Sequence, residues 1–559
     1  MRTVCVWSVL LLTGGALIGR EATSQEREPA EFIKMHVAQV APLWTQANLT
    51  YWEATTTGRQ EAWDKYEALQ LKIRQLYSNR EDFAQIKAFK ESGRIADPRL
   101  TRQIEKLYYA YLQNQIEPGL LTQIVQLDTQ IQEVYNSYRG RIDRQDVTMS
   151  DIYTLLTTEK NTPKRNAAWR ASKQVGNVII EDFLRLVKLR NQAAKELGFD
   201  NYHTMTIVTG EQDVAQLDRL FDELDALTGE PFARLKNELD TILAKSYGIA
   251  PAELMPWHYH DPFFQRTPLV YELDLDRYYQ GRRIEDLARC YYAGVGLPVD
   301  DILARSDLYD REGKYPHAYG FDADREGDAR VLANLQDTER WMETLLHELG
   351  HALYSKYHDR REPWLLREPA HSFTTEAVAM FFGRLSRNAA WMQQMLGLSD
   401  EETARIKTVS DRYLQFQQIL FVRWALVMYH FEKALYADPD RDLNTLWWDL
   451  VEKYQFLRRP PEKPDAGWAS KLHFTTAPCY YHNYMLGELL ASQWHHYLVR
   501  RILKLDSDEG LSYVGDERIG RYFRDNVLGP GARYRWDEMI VRATGEPLTP
   551  RYFVEQFIK

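Results

Sequence analysis

Apolar residues recur at three- and four-residue intervals through most of the chain, with charged residues at the positions between them. This spacing puts the apolar side chains on one face of a helix and predicts long amphipathic helices. The pattern is clearest over residues 61–77, 99–111, 120–138 and 214–244. No repeat of fixed period and no linker rich in Gly, Pro or Ser interrupts it. We therefore expect a mainly α fold, built as one continuous helical body of two lobes.

Two short segments near the middle of the chain have an extended pattern instead. They cover residues 316–321 and 329–335, and a polar turn, residues 322–328, joins them. Segments of this length on either side of such a turn pair as a small sheet. We expect this sheet to lie beside the helix that begins after Asp337.

The first residues have the composition of a secretory signal. Met1 and Arg2 give a positive start, residues 5–18 form an apolar run, and residues 22–24 are small, as at a cleavage site. We predict a signal peptide over residues 1–24, export to the periplasm or the medium, and a single domain over residues 25–559. The first apolar run is too short to span a bilayer, and no later run is long enough, so we expect no stable membrane insertion.

Charge and cysteine content narrow the classes of function. The formal net charge is −10, which does not favour a nucleic-acid-binding surface. After the predicted cleavage only Cys290 and Cys479 remain, and the sequence leaves open whether they pair or stay free. So few thiols argue against a metal site built from cysteines. The sequence does not indicate an oligomeric state.

The clearest chemical motif is His-Glu-x-x-His, formed by His347, Glu348 and His351 on a predicted amphipathic helix. Residues four apart share a helix face, so the two histidines can bind one metal ion. Glu348 projects beside them, where it can take a proton from a metal-bound water. Asp337 or Thr338 can cap the start of this helix.

A catalytic zinc site needs a third protein ligand. Glu376 is the only acid in the apolar stretch from residue 373 to residue 381, 25 residues after His351. An isolated buried carboxylate is unfavourable unless it is paired or binds a metal, so we predict Glu376 as the third ligand. Glu368 and His371 are nearer in sequence, but they flank a proline in the preceding loop.

A polar and aromatic segment further along, residues 471–484, contains one Lys, two His and three Tyr. Tyr hydroxyls and His nitrogens can stabilise the oxyanion that forms during hydrolysis. A lysine there can hold a terminal carboxylate as a point charge.

These residues resemble the angiotensin-converting-enzyme family of peptidyl-dipeptidases, in its bacterial members, and share features with thimet-type oligopeptidases. Both groups are gluzincin metallopeptidases. The resemblance is densest over residues 291–484, and the metal motif includes the family's Gly at Gly350. It implies a helical ellipsoid of two lobes around a deep channel, with one zinc ion per chain at its floor.

The resemblance also implies substrate-binding positions before the metal motif. His317 lies 30 residues before His347, the spacing at which the family carries a substrate-binding His. Ala318 and Gly320 resemble the positions whose backbone pairs with the bound peptide as an added strand.

Further positions after the motif follow from the same resemblance. Lys471 and His473 resemble the family's Lys-x-His, in which Lys takes the C-terminal carboxylate and His contacts the substrate carbonyl. Tyr481 and Tyr484 have the spacing of the family's two tyrosines, and the second of these stabilises the oxyanion. The implied catalytic set is thus Glu348, Tyr484 and His473, with Lys471 and Tyr481 binding substrate.

The sequence also departs from the animal enzymes in several places. Tyr480 is a rival for the Tyr481 role, because the interval from His473 is one residue longer. Asn483 stands where those enzymes carry a chloride-binding Arg, so chloride activation is in doubt. Their carboxylate-binding Gln has no clear equivalent, and His258 or Tyr259 is nearest by pattern.

Two departures lie next to the third metal ligand. Thr375 replaces a His, and Met380 replaces an Asp that supports the site. We therefore expect another group to orient the ligands.

The implied activity is release of dipeptides from the C terminus of peptides by metal-activated water, with Glu348 as the general base. A general oligopeptidase that cuts internally is an alternative. A non-catalytic peptide-binding protein on a peptidase scaffold is another.

Overall fold

The computed structural model of the chain describes residues 24–268, 270 and 274–558. Helices dominate these residues, and the strands within them form two small two-stranded sheets, which confirms the mainly α fold. The predicted signal peptide lies outside the described residues except for Ser24, which begins the first helix. The arrangement of two lobes around a channel stays a prediction.

The described part of the N-terminal half is a series of helices with one hairpin. The four segments predicted from apolar spacing are all helical, and they correspond to the second, fourth, fifth and ninth helices. The hairpin strands are three residues long, too short for a recognisable alternation. The elements are α1 Ser24–Thr57, α2 Gln60–Tyr77, α3 Arg80–Ser92, α4 Pro98–Gln113, α5 Pro118–Ser137, β1 Gly140–Ile142, β2 Gln145–Val147, α6 Met149–Thr158, α7 Thr162–Glu196, α8 Tyr202–Thr209 and α9 Val214–Tyr247.

A stretch of short turns follows, broken by prolines, and the predicted small sheet then interrupts a second helical series. The remaining elements are α10 Ile284–Gly294, α11 Asp300–Arg305, β3 Tyr319–Asp322, β4 Ala329–Leu332, α12 Glu339–Tyr357, α13 Ser372–Gly383, α14 Ala389–Leu396, α15 Asp400–Ala437, α16 Leu443–Gln455, α17 His473–Thr476, α18 His482–Tyr497, α19 Glu517–Phe523, α20 Trp536–Thr544 and α21 Arg551–Phe557.

Helix α12 carries the His-Glu-x-x-His motif, and its start is set by a side-chain cap. The Thr338 hydroxyl accepts a hydrogen bond from the Trp341 N–H, at 3.3 Å, while Asp337 accepts one from Gly281. Leu345, Leu346 and Leu349 are fully buried, so the face of α12 opposite the histidines lies in the core. The apolar face of the helix therefore fixes the direction in which the motif points.

Helices α12 and α13 pack closely because Gly350 lies at their contact. A Cβ at this position would come within 2.7 Å of the Ala379 Cα, closer than side-chain atoms can approach. The glycine within the metal motif thus lets the helix that carries Glu376 approach the helix that carries both histidines.

The small sheet lies against α12, as expected. Strands β3 and β4 are antiparallel, with Gly320 opposite Val331. A Cβ on Gly320 would lie 2.6 Å from the His351 Cβ, so a glycine is needed for β3 to approach the helix.

The described residues form one large hydrophobic core and one small one. The large core runs from Leu127 to Phe557 and includes the buried faces of α12, α13 and α18. The small core joins α1, α3 and α4 around residues such as Ile86, Leu107 and Tyr111. Among the described helices none is both long enough and apolar enough to cross a membrane. Cys290 is exposed, Cys479 is buried, and the two are not joined.

Candidate metal centre and peptide site

His347 and His351 point the same ring nitrogen at one space, as their spacing on α12 predicts. Their Nε2 atoms are 3.2 Å apart. Burial lowers the pKa of His347 to about 4 and also lowers that of His351, where His347 adds to the effect. Both rings are therefore neutral at neutral pH, which is the form that binds a metal.

Glu376 completes a set of three donors from the neighbouring helix α13. Its Oε2 lies 3.7 Å from the His347 Nε2 and 3.8 Å from the His351 Nε2. The two rival residues are engaged elsewhere: Glu368 pairs with Arg325 at 2.6 Å, and the His371 ring accepts the Phe373 N–H at the start of α13. In the described part of the chain, the cluster of His, Cys, Asp or Glu donors close enough to hold an ion is His347, His351 and Glu376.

The donor set fits zinc in both chemistry and spacing. Zinc takes imidazole nitrogen and carboxylate oxygen at about 2.0–2.2 Å in a tetrahedron, which separates ligand atoms by about 3.4 Å. The observed separations of 3.2, 3.7 and 3.8 Å bracket that value. Two histidines and one glutamate leave a fourth position open, as in a catalytic site.

The hydroxyl groups of two residues contact the metal ligands His351 and Glu376. Thr375 Oγ1 lies 2.8 Å from the His351 Nδ1, so it can accept that N–H and leave Nε2 free for the metal. The Tyr480 hydroxyl lies against the Glu376 carboxylate and lowers its pKa, although burial is the larger effect and raises that pKa to about 7. Thr375 and Tyr480 are thus the orienting groups expected in place of the family's His and Asp.

Glu348 is held by the sheet. The Gly320 N–H donates to its Oε2 at 2.8 Å. The pKa of Glu348 is raised to about 8, mainly by burial; the Gly320 N–H opposes this rise, and the nearby Glu376 adds to it. The Gly320 N–H thus holds the candidate base, and the pairing of its backbone with a peptide stays a prediction.

The three tyrosines of the downstream segment occupy different positions. Tyr480 faces Glu376. The Tyr481 hydroxyl instead accepts the Trp424 indole N–H at 2.7 Å. The Tyr484 ring packs on both, with centroid distances of 5.2 and 5.3 Å. Burial raises the pKa of Tyr484 to about 12, and Glu376 adds to this, so the hydroxyl stays protonated and can donate.

His473 lies beside these tyrosines at the start of α17. Its ring centre is 5.2 Å from that of Tyr481 and 6.5 Å from that of Tyr484. Burial lowers the pKa of His473 to about 4, with Lys471 as a second cause. The ring is therefore neutral near pH 7.

Lys471 is 8% exposed and donates to the Gln265 Oε1 at 2.7 Å. Its ammonium also lies 5.2 Å from the Tyr481 ring centre and 5.3 Å from that of Trp424. Burial lowers the pKa of Lys471 to about 8. No carboxylate of the described residues pairs directly with it. A cation held only by an amide oxygen and two aromatic faces is suited to bind a carboxylate from a ligand.

Gln265 is the residue that sequence reasoning missed. His258 and Tyr259, which the sequence pattern placed nearest to the family's carboxylate-binding Gln, have other partners. The His258 ring lies 3.2 Å from the Thr162 hydroxyl, and the Tyr259 hydroxyl lies 2.7 Å from the Lys236 ammonium. Gln265 lies in an irregular segment and meets Lys471 across 206 positions of sequence, so no local pattern marks it.

His317 and Ala318 line a separate groove that runs along β3 to Gly320. The groove has a volume of about 520 Å³ and is walled by rings that include Trp44, Tyr51, Tyr66 and Tyr315. His317 is exposed and packs edge-on against Tyr315, with ring centres 5.3 Å apart. Its role as a substrate-binding residue stays a prediction.

Asn483, at the position of the chloride-binding Arg, belongs to a neutral network. Its side-chain oxygen accepts from Gln212 Nε2 at 2.8 Å, and the Gln212 oxygen lies 2.8 Å from His482 Nε2. The amide thus has a buried partner of its own.

Comparisons with known proteins match the two halves of the chain to related peptidases. Residues 23–259 match the family described as angiotensin-converting enzyme, and residues 303–558, which include the metal donors, match peptidase family M3. The chain is also similar to thermostable carboxypeptidase 1 of Pyrococcus furiosus, with 24% identity over 257 residues. That match covers 41% of this chain and 49% of the relative, so the chain spans about half the length of this relative. Over these two stretches the chain is thus similar to angiotensin-converting enzyme and to peptidase family M3, and the second stretch contains three donors that can hold a metal ion.

Proposed function

We propose that the chain is a zinc-dependent peptidyl-dipeptidase, which releases dipeptides from the free C terminus of peptides. The observation that carries this proposal is the Lys471–Gln265 pair beside Tyr481. The Tyr481 ring in turn lies 5.3 Å from that of Tyr484. A dipeptide spans about 7 Å when extended, so one aromatic ring between the carboxylate anchor and the reacting carbonyl suits this product.

The hydrolytic step follows from the residues around the metal donors. Zinc held by His347, His351 and Glu376 would supply a Lewis acid that polarises the scissile carbonyl and activates water. Glu348 accepts a proton from the attacking water and passes it to the leaving amine nitrogen. Gly320 holds Glu348 in position for both transfers.

Tyr484 and His473 stabilise the negative charge that develops on the carbonyl oxygen. Tyr484 donates its O–H to this oxygen, since its raised pKa keeps the proton in place. His473, neutral near pH 7, donates a ring N–H from the same side. Removing one such donor typically lowers kcat by about 100- to 1000-fold.

The substrate is held at both ends. Lys471 and Gln265 bind the C-terminal carboxylate, with Tyr481 packing beside them. Upstream residues lie along β3, where Ala318 and His317 line the groove. Strand addition of this kind uses the peptide backbone and so tolerates many side chains. The name carboxypeptidase, given to the Pyrococcus relative, also supports action at a C terminus.

The Lys471 variant tests the role of the carboxylate anchor. We expect Lys471→Ala to lower kcat/KM for a free-acid peptide by about 100-fold, because a buried charge pair is lost, and to change that of the matching C-terminal amide by less than about threefold. Lys453→Ala, which removes an exposed lysine on α16, is the control and should change neither. Equal losses for acid and amide would show that Lys471 is not the anchor.

We also propose that the protein acts outside the cytoplasm, on the basis of the charged start and apolar run of residues 1–24. N-terminal sequencing of the protein from the periplasm or medium should begin near Gln25. Recovery of the intact Met1 start in the cytoplasmic fraction would contradict export.

A further inference from the structure

A second cavity, which we name the Lys173 pocket, lies outside the metal centre. It has a volume of about 250 Å³ and is formed by α7, α16 and the turn Ala466–Ser470. Its lining combines aromatic rings with one buried amine. The lining residues that matter for its chemistry are Trp169, Lys173, Phe263, Trp447, Trp448 and Trp468.

The Lys173 amine makes no hydrogen bond to a described residue that would stabilise the fold. It is 6% exposed, and no hydrogen-bond partner for its ammonium exists among the described residues. The nitrogen lies 3.0 Å from the centre of the Phe263 ring and 5.5 Å from that of Trp169. An unpaired buried amine is unfavourable by several kcal/mol on general grounds, so its presence here points to a ligand.

The two carboxylates that act electrostatically on Lys173 accept hydrogen bonds from other groups. Asp261 accepts the N–H groups of Phe263 at 2.8 Å and Gln265 at 3.3 Å. Asp465 accepts the Gly467 N–H at 3.0 Å and the Asn177 side-chain amide at 2.9 Å. Both carboxylates favour the charged amine, but burial is the larger effect and lowers the pKa of Lys173 well below its usual range.

The walls define the rest of the ligand. Four indoles and a phenyl ring offer flat apolar surface for stacking, and Arg170 at the edge is paired with Glu462 at 2.7 Å. The cavity volume of about 250 Å³ compares with about 30 Å³ for one water, so a monatomic anion would leave most of it empty. A single ring that carries one carboxylate matches both the basic amine, whose charged form a carboxylate stabilises, and the volume.

We propose that the Lys173 pocket is a second ligand site, which binds a small organic carboxylate with an aromatic body. The carboxylate pairs with the Lys173 ammonium, and the ring stacks among Trp169, Trp447 and Trp448. The site is separate from the metal donors and from Lys471.

Phe263 connects this pocket to the proposed carboxylate anchor. Its ring contacts Lys173 and also lies 5.9 Å from the Lys471 ammonium. Asp261 holds the backbone of both Phe263 and Gln265, and Gln265 bonds to Lys471. A ligand that draws Lys173 away from Phe263 therefore acts on the anchor, a consequence that rests on the proposed function.

The binding test uses the intrinsic fluorescence of the tryptophans that line the pocket. Phenylacetate should change the fluorescence of the full-length protein with a saturable curve, and its neutral analogue phenylacetamide should bind at least tenfold more weakly. Equal dissociation constants for acid and amide, or no saturation with the acid, would overturn the proposal. No substrate is present, so this outcome is independent of the peptidase activity.

Three variants show where on the protein phenylacetate binds. Lys173→Met should weaken phenylacetate binding at least tenfold and leave Tm unchanged or higher, because an unpaired amine is replaced by an apolar chain of similar length. Lys463→Met, at the exposed rim of the same pocket, and Lys471→Ala, at the anchor, should both keep the wild-type dissociation constant. A loss with Lys471→Ala and none with Lys173→Met would place the probe at the anchor and refute the site. If Lys173→Met fails to fold, Lys471→Ala decides the question: a retained preference for the acid over the amide supports the Lys173 pocket, and loss of that preference refutes it.

A kinetic measurement tests the connection between the Lys173 pocket and the proposed carboxylate anchor at Lys471. Saturating phenylacetate should change KM for a free-acid peptide at least threefold in the wild type and leave it unchanged in Lys173→Met. An unchanged KM in the wild type, with binding confirmed by fluorescence, would refute the link through Phe263.

Discussion

The backbone N–H of Gly320 donates to the Glu348 carboxylate across 2.8 Å, which ties the small sheet to the metal helix at the candidate base. A Cβ on Gly320 would lie 2.6 Å from the His351 Cβ and 2.7 Å from the Glu348 carbonyl oxygen. One residue of β3 thus contacts a metal ligand and the base together. Its small size and its N–H are both required.

Replacing Gly320 tests this relationship. Gly320→Ala must push β3 away from α12, so we expect the free energy of unfolding to fall by about 1–3 kcal/mol and kcat to fall more than tenfold. Thermal unfolding and steady-state kinetics measure the two effects. Gly229→Ala is the control, because a Cβ there meets nothing closer than 3.9 Å within a helix, and it should be neutral or slightly stabilising. Wild-type kcat in Gly320→Ala would show that β3 does not position the base.

The Thr375 hydroxyl is expected to set metal affinity through His351. Thr375→Val removes the acceptor 2.8 Å from the His351 Nδ1, so zinc affinity should fall about 10- to 100-fold. Competition with a chelator measures this directly. Thr375→Ser keeps the hydroxyl and should retain most of the affinity, whereas equal zinc affinity in Val and wild type would exclude the orienting role.

The activity on free-acid peptides should depend on the protonation of Lys471. The pKa of this group is lowered to about 8, mainly by burial; Asp261 opposes the shift, and Arg266 adds to it. The ammonium is present below that pKa and lost above it, so kcat/KM for a free-acid peptide should fall between about pH 7 and pH 9.

The matching amide supplies the control for that pH profile. It does not need the ammonium, so the inflection near pH 8 should be missing from its profile. The same inflection with both substrates would assign it to another group.

The parts of this structure that the sequence predicted are local ones. Apolar spacing over residues 214–244 is enough to predict α9, and the four-residue interval between His347 and His351 is enough to bring their nitrogens together. Glu376 was predictable because a lone acid in an apolar helix needs a partner. Each of these inferences depends on neighbours within a few helical turns.

What the sequence did not predict depends on contacts between distant segments. Gln265 lies in an irregular stretch and reaches Lys471 only in the folded chain. Tyr480 and Tyr481 are adjacent, yet one faces Glu376 and the other Trp424, a difference set by how the chain enters α18. The Lys173 amine, which has no hydrogen-bond partner in the described part of the chain, was likewise not predictable, because a missing partner leaves no local sequence pattern.

Analysis of the cleavage products tests whether the protein releases dipeptides from a free C terminus in a zinc-dependent reaction. One peptide, offered as the free acid and as the amide, is digested with and without a chelator, and the products are identified by mass spectrometry. Glu348→Gln serves as the catalytic control, since it keeps the metal donors and loses the base.

We expect successive loss of dipeptides from the free acid alone, stopped by the chelator, with no turnover in Glu348→Gln at full zinc content. Chelator-sensitive internal cuts in both peptides would contradict it and indicate a general oligopeptidase. Wild-type turnover in Glu348→Gln would contradict the role of the base, and no cleavage by zinc-loaded wild-type protein would indicate a peptide-binding protein on a peptidase scaffold.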